Sequence, residues 1–442
     1  MNRRVRVRRF LLDVEPLRKD RDYRWLWTGQ VVTGMGSQIT RLALPYQVYA
    51  ITGSTLAIAA LTLFQLIPIL AFALAAGSLA DAIDRRKLLL ATQSGLLLCS
   101  LALAVLSVGE DPPLVLLYAV AFVAAGLSAV DQPARASSIP RLVPPERLPA
   151  ALALNQLNGQ AASIVGPAVA GILIATIGLT GAYLVDAATF LAAFVALAAI
   201  RPIPPLGQVT RPGLAAIREG LAFVRSRRAI LASFVIDLDA MVLAMPTALF
   251  PAIALDVFQV GPAGLGLLAA APALGAFLAA VFSGWIARVR RVGRAVVLAV
   301  VGWGVSMTLF GAVTVVQELA GGPSAALFGA ALVMLAFAGG SDVLSAVFRN
   351  TIVQLATPDA LRGRVTSIHS LVVTSGPRMG DIQSAVVAAF IGPGQAVVAG
   401  GLLCLAGVGA VGRWLPELGR HVIGRPADHD VAADAPATPR GE

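Results

Sequence analysis

Long apolar runs alternate with short polar connectors along almost the whole chain. The runs fall at residues 25–51, 56–80, 88–108, 114–134, 150–177, 181–200, 230–257, 263–287, 295–316, 324–347, 366–391 and 395–415. A helix crossing the hydrocarbon core of a bilayer needs ~20 mostly apolar residues. Each run is therefore predicted as a transmembrane α-helix, twelve in all. The connectors are of two alternating kinds. One kind is short and uncharged or acidic, as in Thr52-Gly53-Ser54, Gly178-Leu179-Thr180 and Gly392-Pro393-Gly394. The other is rich in arginine.

The basic residues set the expected orientation. Of 34 lysines and arginines, nine precede residue 25, nineteen lie in the five arginine-rich connectors and four follow residue 412; Arg41 and Arg378 are the two inside the apolar runs. Short cytoplasmic loops carry the excess of Lys and Arg, so both termini are expected in the cytoplasm. This distribution also accounts for the net charge of +10 without a nucleic-acid partner. Composition agrees: 57% of the 442 residues are apolar and 13% charged, about half the ~25% of a soluble chain. A soluble multidomain enzyme and a disordered chain are both excluded.

The chain also repeats itself. Gly77-Ser78-Leu79-Ala80 recurs as Gly284-Trp285-Ile286-Ala287, and the pattern Ile139, Leu142, Pro145, Glu146, Leu148 recurs as Ile352, Leu355, Pro358, Asp359, Leu361. Two six-helix halves in the same orientation are predicted, at 25–200 and 229–415. A basic arm at 1–24 precedes them, and Phe10, Leu11 and Val14 suit the membrane surface. Residues 201–228 join the halves. That linker opens with Pro202, Pro204 and Pro205, then sets Leu214, Ile217, Leu221 and Val224 opposite Arg218 and Arg225, as an interfacial helix would. Residues 416–442, with four prolines and no apolar periodicity, read as a disordered cytoplasmic tail.

This all-α, six-plus-six parallel repeat is the architecture of the major facilitator superfamily, whose substrate site lies between the halves. The segment Gly77-Ser78-Leu79-Ala80-Asp81-Ala82-Ile83-Asp84-Arg85-Arg86-Lys87 resembles that superfamily's signature between spans two and three. The glycine permits close helix contact, and Asp81 stands one helical turn from Arg85. The resemblance implies a cytoplasmic gate made by Gly77, Asp81, Arg85 and Arg86 with Asp131 at the end of span four. Two positions depart from the pattern: Ala82 replaces a common basic residue and Asp84 a common glycine. In the second copy Arg288 stands at the aspartate position. Gly166-Pro167 through Gly171 resembles the Gly-Pro signature of superfamily antiporters, where small residues and a proline shape span five. Gly376-Pro377 is a partial echo.

Ionisable groups inside a bilayer are costly and mark functional sites by default. Arg41 falls roughly 25 Å into span one, and Asp237 and Asp239 ~12–15 Å into span seven, at 1.5 Å per residue. Asp342 lies in span ten. By resemblance, spans one, four, seven and ten line the cavity, so Arg41, Asp237, Asp239, Asp342 and Gln38 are the candidates for proton coupling and substrate binding. Asp237 and Asp239 are two apart and face opposite ways on a helix; Asp239 is weakly preferred. A fixed, purely structural pairing explains any of these carboxylates equally well. Arg378 and Asp381, three apart in span eleven, suit a same-helix ion pair. Asp186 near the end of span six reads as structural. Gln30, Tyr46 and Gln47 complete a polar set in span one that helix contacts also explain. Cys99 and Cys404 read as small core residues. His369, His421 and His429 are scattered, so no metal site is expected.

Further stretches resemble the enterobactin-exporter branch, near the macrolide-efflux permeases. They are Gly36-Ser37-Gln38-Ile39-Thr40-Arg41-Leu42-Ala43-Leu44-Pro45, Leu142 through Leu148, Thr357 through Arg364, and Gly380-Asp381. The resemblance implies export of a siderophore-like or amphiphilic small molecule across the cell membrane by alternating access, as a proton antiporter. Broad multidrug or macrolide efflux and solute import are the alternatives. An intramembrane enzyme and a non-transporting sensor are remote ones. No GxxxxGK[ST] loop occurs, so the energy is expected from an ion gradient or from the substrate's own gradient; the resemblance implies a proton gradient, with no cofactor and no ATPase subunit. The expected partners are the substrate and the lipid bilayer, with the chain acting as a monomer.

Overall fold

The computed structural model describes residues 13–73, 83–109, 111–204, 214–415 and 417. Among them the protein is helical, with no strand. A short α1 (Glu15–Lys19) leads into α2 (Arg21–Thr52), α3 (Thr55–Ala73), α4 (Arg85–Leu106), α5 (Leu114–Leu142) and α6 (Leu148–Ala198). The linker forms α7 (Leu214–Ser226). Then follow α8 (Arg228–Leu243), α9 (Gly261–Val281), α10 (Val292–Ala320), α11 (Ala325–Ala356), α12 (Asp359–Ile391) and α13 (Pro393–Trp414). Nine helical stretches among the described residues are long and apolar enough to cross a membrane. α2 and α12 have the length, 32 and 33 residues, but are more polar.

Local chemistry sets the breaks. The 51-residue α6 is interrupted at Gly178, where φ is 71° and ψ −179°. A side chain is strained there, so this glycine makes the short connector expected at 178–180. Asp84 departs from the usual glycine for a local reason: it is the N-cap of α4, accepting hydrogen bonds from the Arg86 and Lys87 amides at 2.8 and 3.3 Å. Between α8 and α9 the chain runs through a 3₁₀ turn at Thr247–Leu249, one α turn at Phe250–Ala252 and a π turn at Ile253–Val257. The Gly77–Ala82 part of the gate motif and the tail beyond Glu417 lie outside the described residues.

The chain divides into two compact units. The first holds residues 1–211 with 247–273, the second 212–246 with 274–442. In the first, α2 packs along α6, and α4 against α5 and α6. Its connector-side end is an apolar cluster of Tyr23, Leu26, Leu89, Val130, Ile139 and Leu142. The Tyr23 hydroxyl donates to the Ala151 carbonyl at 2.8 Å, satisfying a polar tip inside that cluster. In the second unit α10 packs on α11 and α13, and α8 on α12 and α13. α7 packs against α8 and α12, with Val224 buried among Ile230, Phe234, Val353 and Val365. The linker helix is thus docked on protein through Val224, while Leu221 is exposed. Leu214 and Ile217 have no described side-chain placement.

Lipid tails are as apolar as leucine, so close helix packing, not burial from water, holds such a bundle together. On α4 the exposed face carries Leu98, Leu101 and Val105, as lipid contact requires, while Leu89, Leu96 and Leu103 turn inward. Glycines set the closest approaches. A Cβ on Gly275 of α9 would lie 1.7 Å from the Ala336 carbonyl oxygen of α11. One on Gly380 of α12 would lie 2.0 Å from the Met241 carbonyl oxygen of α8. Gly275→Ala must therefore push α9 off α11, and overpacking of this kind costs about 1–3 kcal/mol. The expected result is a lowered melting temperature of the purified protein. Gly329→Ala on α11, where a Cβ meets nothing within 4 Å, is expected to leave it unchanged.

Candidate functional site

Several polar clusters lie inside the helices. The largest joins α8, α11 and α12 in the second unit. Asp237, nine residues into α8, turns toward α11, where the Arg349 guanidinium donates to it in a short, buried ion pair. Arg349 Nη2 also stands 3.9 Å from Asp342, two helical turns earlier on α11. The three side chains differ sharply in access: Asp237 is 3% exposed, Arg349 5% and Asp342 43%. His369 of α12 stacks on Phe234 with ring centroids 5.5 Å apart, and Phe234 shares a face of α8 with Asp237. The second carboxylate oxygen of Asp237, Arg349 Nε and His369 Nδ1 are buried with no hydrogen-bond partner among the described residues. One permanent cation is thus shared between a sealed carboxylate and an open one. Spare hydrogen-bonding capacity surrounds it.

Asp239 goes elsewhere. Its carboxylate points at α13, accepting from the Cys404 thiol, and occupies the space a side chain at Gly407 would need. The two aspartates face different helices, as their spacing requires, and Asp237 is the one in an ion-pair network.

In the first unit Asp131 of α5 accepts from Arg135 Nε at 2.6 Å, Thr92 Oγ1 at 2.7 Å and Gln93 Nε2 at 3.0 Å. Arg85 is buried at the start of α4 and has polar contacts. Arg86 donates to the Leu197 and Ala198 carbonyls at 3.2 and 2.7 Å, capping the end of α6. Asp81 and Gly77 fall outside the described residues. Asp186 is fully buried and accepts from Thr40 and Ser100 at 2.5 and 2.8 Å, tying α6 to α2 and α4. Gln47 accepts from Tyr183 at 2.8 Å, a helix–helix contact. A further contact is a short hydrogen bond from the Tyr49 hydroxyl, near the end of α2, to Asp256 in the π turn.

The remaining candidates are dispersed. Arg41 is exposed on α2 and has a polar partner. Gln38 packs where a Cβ on Gly166 would stand. Pro167 lies within α6, and Gly171 meets Gly266 of α9 backbone to backbone. Arg378 and Asp381 keep their three-residue spacing on α12, both partly buried and engaged in polar contacts.

Two arginines correct the reading of the sequence. Arg135 and Arg349 count there as connector charges, but both are buried within helices that run on to Leu142 and Ala356. Their near-equivalence in the repeat was a usable signal, since each closely precedes the shared Ile139 and Ile352 positions. His369 carried no such signal.

The family pattern described as transmembrane secretion effector, a division of the major facilitator superfamily, matches residues 13–420. The chain belongs to that family. It is a multi-pass membrane transporter and not an enzyme. Macrolide efflux protein A of Streptococcus pyogenes is 26% identical over 62% of this chain and 69% of its own length. The multidrug efflux pump Tap of Mycolicibacterium fortuitum is 29% identical over 57% of this chain and 64% of its own. The enterobactin exporter EntS of Shigella boydii is 25% identical over 84% and 86%. Among solved structures, a bacterial homologue of the iron transporter ferroportin, in its inward-facing state, superposes with a TM-score of 0.67. It has 17% identity and covers 90% of this chain and 98% of its own. A peptide transporter gives 0.71 at 14% identity, covering 91% and 96%. At these identities the structures speak for the fold alone.

The ion-pair geometry makes a contrast testable in this transporter. Asp237→Ala leaves the Arg349 charge buried without its partner and is expected to cost about 3–5 kcal/mol. Asp239→Ala removes a carboxylate with no ionic partner and is expected to cost under about 1 kcal/mol. Denaturant titration of both purified variants checks the order.

Proposed function

We propose that the chain exports amphiphilic small molecules, siderophore-like or drug-like, from the cytoplasm across the cell membrane in exchange for protons. In this reading it is a monomer with twelve spans and both termini in the cytoplasm. It uses no cofactor and no ATPase subunit. Export is favoured because the named relatives are efflux proteins and an exporter. The single observation that carries proton coupling is Asp342, an open carboxylate within 3.9 Å of a buried arginine already bound to Asp237.

Arginine keeps its proton, so the carboxylates do the titrating. With Asp342 ionised, Arg349 is drawn to both acids. Once a proton reaches Asp342, its attraction for Arg349 is gone and the cation settles wholly on Asp237. The two protonation states thus favour two positions of one guanidinium between α8 and α11. A positively charged substrate group competes for ionised Asp342 and is released when that carboxylate is protonated. Substrate and proton then exclude each other at one group, which is the requirement for antiport. The Asp131–Arg135 pair, well inside α5, and the Tyr49–Asp256 hydrogen bond near the end of α2 act in this reading as gates on the two sides.

The test is proton movement in inverted membrane vesicles, read with a pH-sensitive dye. Macrolides, lipophilic cations and iron-free siderophores are added in turn. A substrate is expected to dissipate the gradient, and Asp342→Asn is expected to reduce that response tenfold or more, about 1.4 kcal/mol per decade, at unchanged protein level. A full response in Asp342→Asn contradicts the assignment. Substrate accumulation without proton movement points to import or facilitated diffusion.

A further inference from the structure

At the connector-side end of the first unit, an open cavity of about 510 Å³ lies between α1, the start of α2 and the end of α6. Lys19, Arg21 and Arg201 line it together with Asp20 and Asp22, over a floor that includes Leu142 and Ile200. By count the charges nearly cancel, but by access they do not. Asp20 is turned inward onto Arg147 at 2.8 Å with its side chain 13% exposed. Asp22 meets Arg201 at 3.2 Å and is 18% exposed. The side chains of Lys19 and Arg201 are 63% and 66% exposed. Arg21 is exposed, with no side-chain hydrogen bond or ion pair among the described residues. Lys19 has a partner in Glu15, but that pair is exposed on both sides and holds it weakly. The acids are spent on structure and Arg201 shares one of their pairs, so the spare positive charge of the mouth comes from Arg21 and the weakly held Lys19, with Arg201 presenting its exposed face beside them.

The setting decides what an anion there belongs to. α1 is anchored by buried Pro16, with Val14 and Leu17 packed on the apolar cluster. One helical turn along α2, Trp25 is exposed, in the manner of aromatic residues at the level of lipid headgroups. A basic pocket with an apolar floor at this depth matches a phosphate group carrying acyl chains better than a freely soluble anion. The geometry points to a binding site for the phosphate of an anionic phospholipid, held by Lys19, Arg21 and Arg201, with the glycerol end against Leu142 and Ile200. Such a lipid clamps α1 and α2 to the end of α6, where Asp22 already holds Arg201, while Asp20 ties the same region to Arg147 at the start of α6. Bound there, it raises the stability of the first unit.

The full chain in nanodiscs tests this. In discs containing phosphatidylglycerol, the wild-type melting temperature is expected to exceed that in pure phosphatidylcholine by about 3 °C or more. Lys19→Glu with Arg21→Glu is expected to abolish most of that increment, and Arg21→Gln part of it. Both variants should melt like wild type in phosphatidylcholine, because the replaced side chains are exposed. Native mass spectrometry should show one fewer tightly held phosphatidylglycerol in the double variant. An undiminished increment in both variants overturns the site. An equal increment from glycerol phosphate added to phosphatidylcholine discs overturns the lipid assignment in favour of a soluble phosphate.

Discussion

A charge taken into a bilayer must find its partner inside the protein. That constraint organises both units. Arg135 and Arg349 are each nearly sealed from solvent, at closely related points of the repeat, and each is answered by an aspartate. In the first unit the acid is Asp131, one turn away on the same helix and further held by Thr92 and Gln93 of α4. In the second it is Asp237 on a different helix, with Asp342 as a second claimant. The same chemical solution therefore has different mechanical consequences. A same-helix pair fixes one helix and its neighbour. A pair spanning α8 and α11, with a competing acid, is in the proposed cycle the element that links protonation to the relation between two helices.

The packing around these charges makes small rearrangements matter. Where backbones meet at Gly275 and Ala336, or at Gly380 and Met241, no soft side chain intervenes to absorb movement. Helices in such contact shift as bodies. In the proposed cycle, a guanidinium displaced between two carboxylates would move α8 and α11 instead of being lost in local repacking. Burial of an ion pair is weak support for stability, since apolar replacements of the same shape often do as well. On the proposed function, Asp237 and Arg349 are there for coupling.

Much of the fold was legible because hydrocarbon imposes a simple pattern. Among the described residues the apolar runs lie largely in helices, Gly178 interrupts a continuous helix where a connector was expected, and Asp131 sits in a charged network within α5. The boundaries were less legible, for a physical reason. Apolar periodicity stops at the first charged residue, but a helix does not stop when that charge is paired. Reading Arg135 and Arg349 as connector charges hid the two arginines on which the polar networks depend. Spacing separated Asp237 from Asp239 onto opposite faces, yet only the packing of α11 and α13 shows which faces an arginine and which a thiol. His369 was illegible because a lone histidine has no periodic signature, and its place beside Phe234 depends on α12 crossing α8.

On the proposed function the Asp237–Arg349 pair serves coupling and not stability. A double-mutant comparison tests this most directly, with Asp237→Leu and Arg349→Met made singly and together. Each is read for stability and for substrate-driven proton movement. Each single variant is expected to be strongly destabilised, the double variant to recover most of the loss because no sealed charge is left unpaired, Asp342 being open, and the recovered protein to move no protons. A stable double variant that still exchanges substrate for protons would contradict that reading.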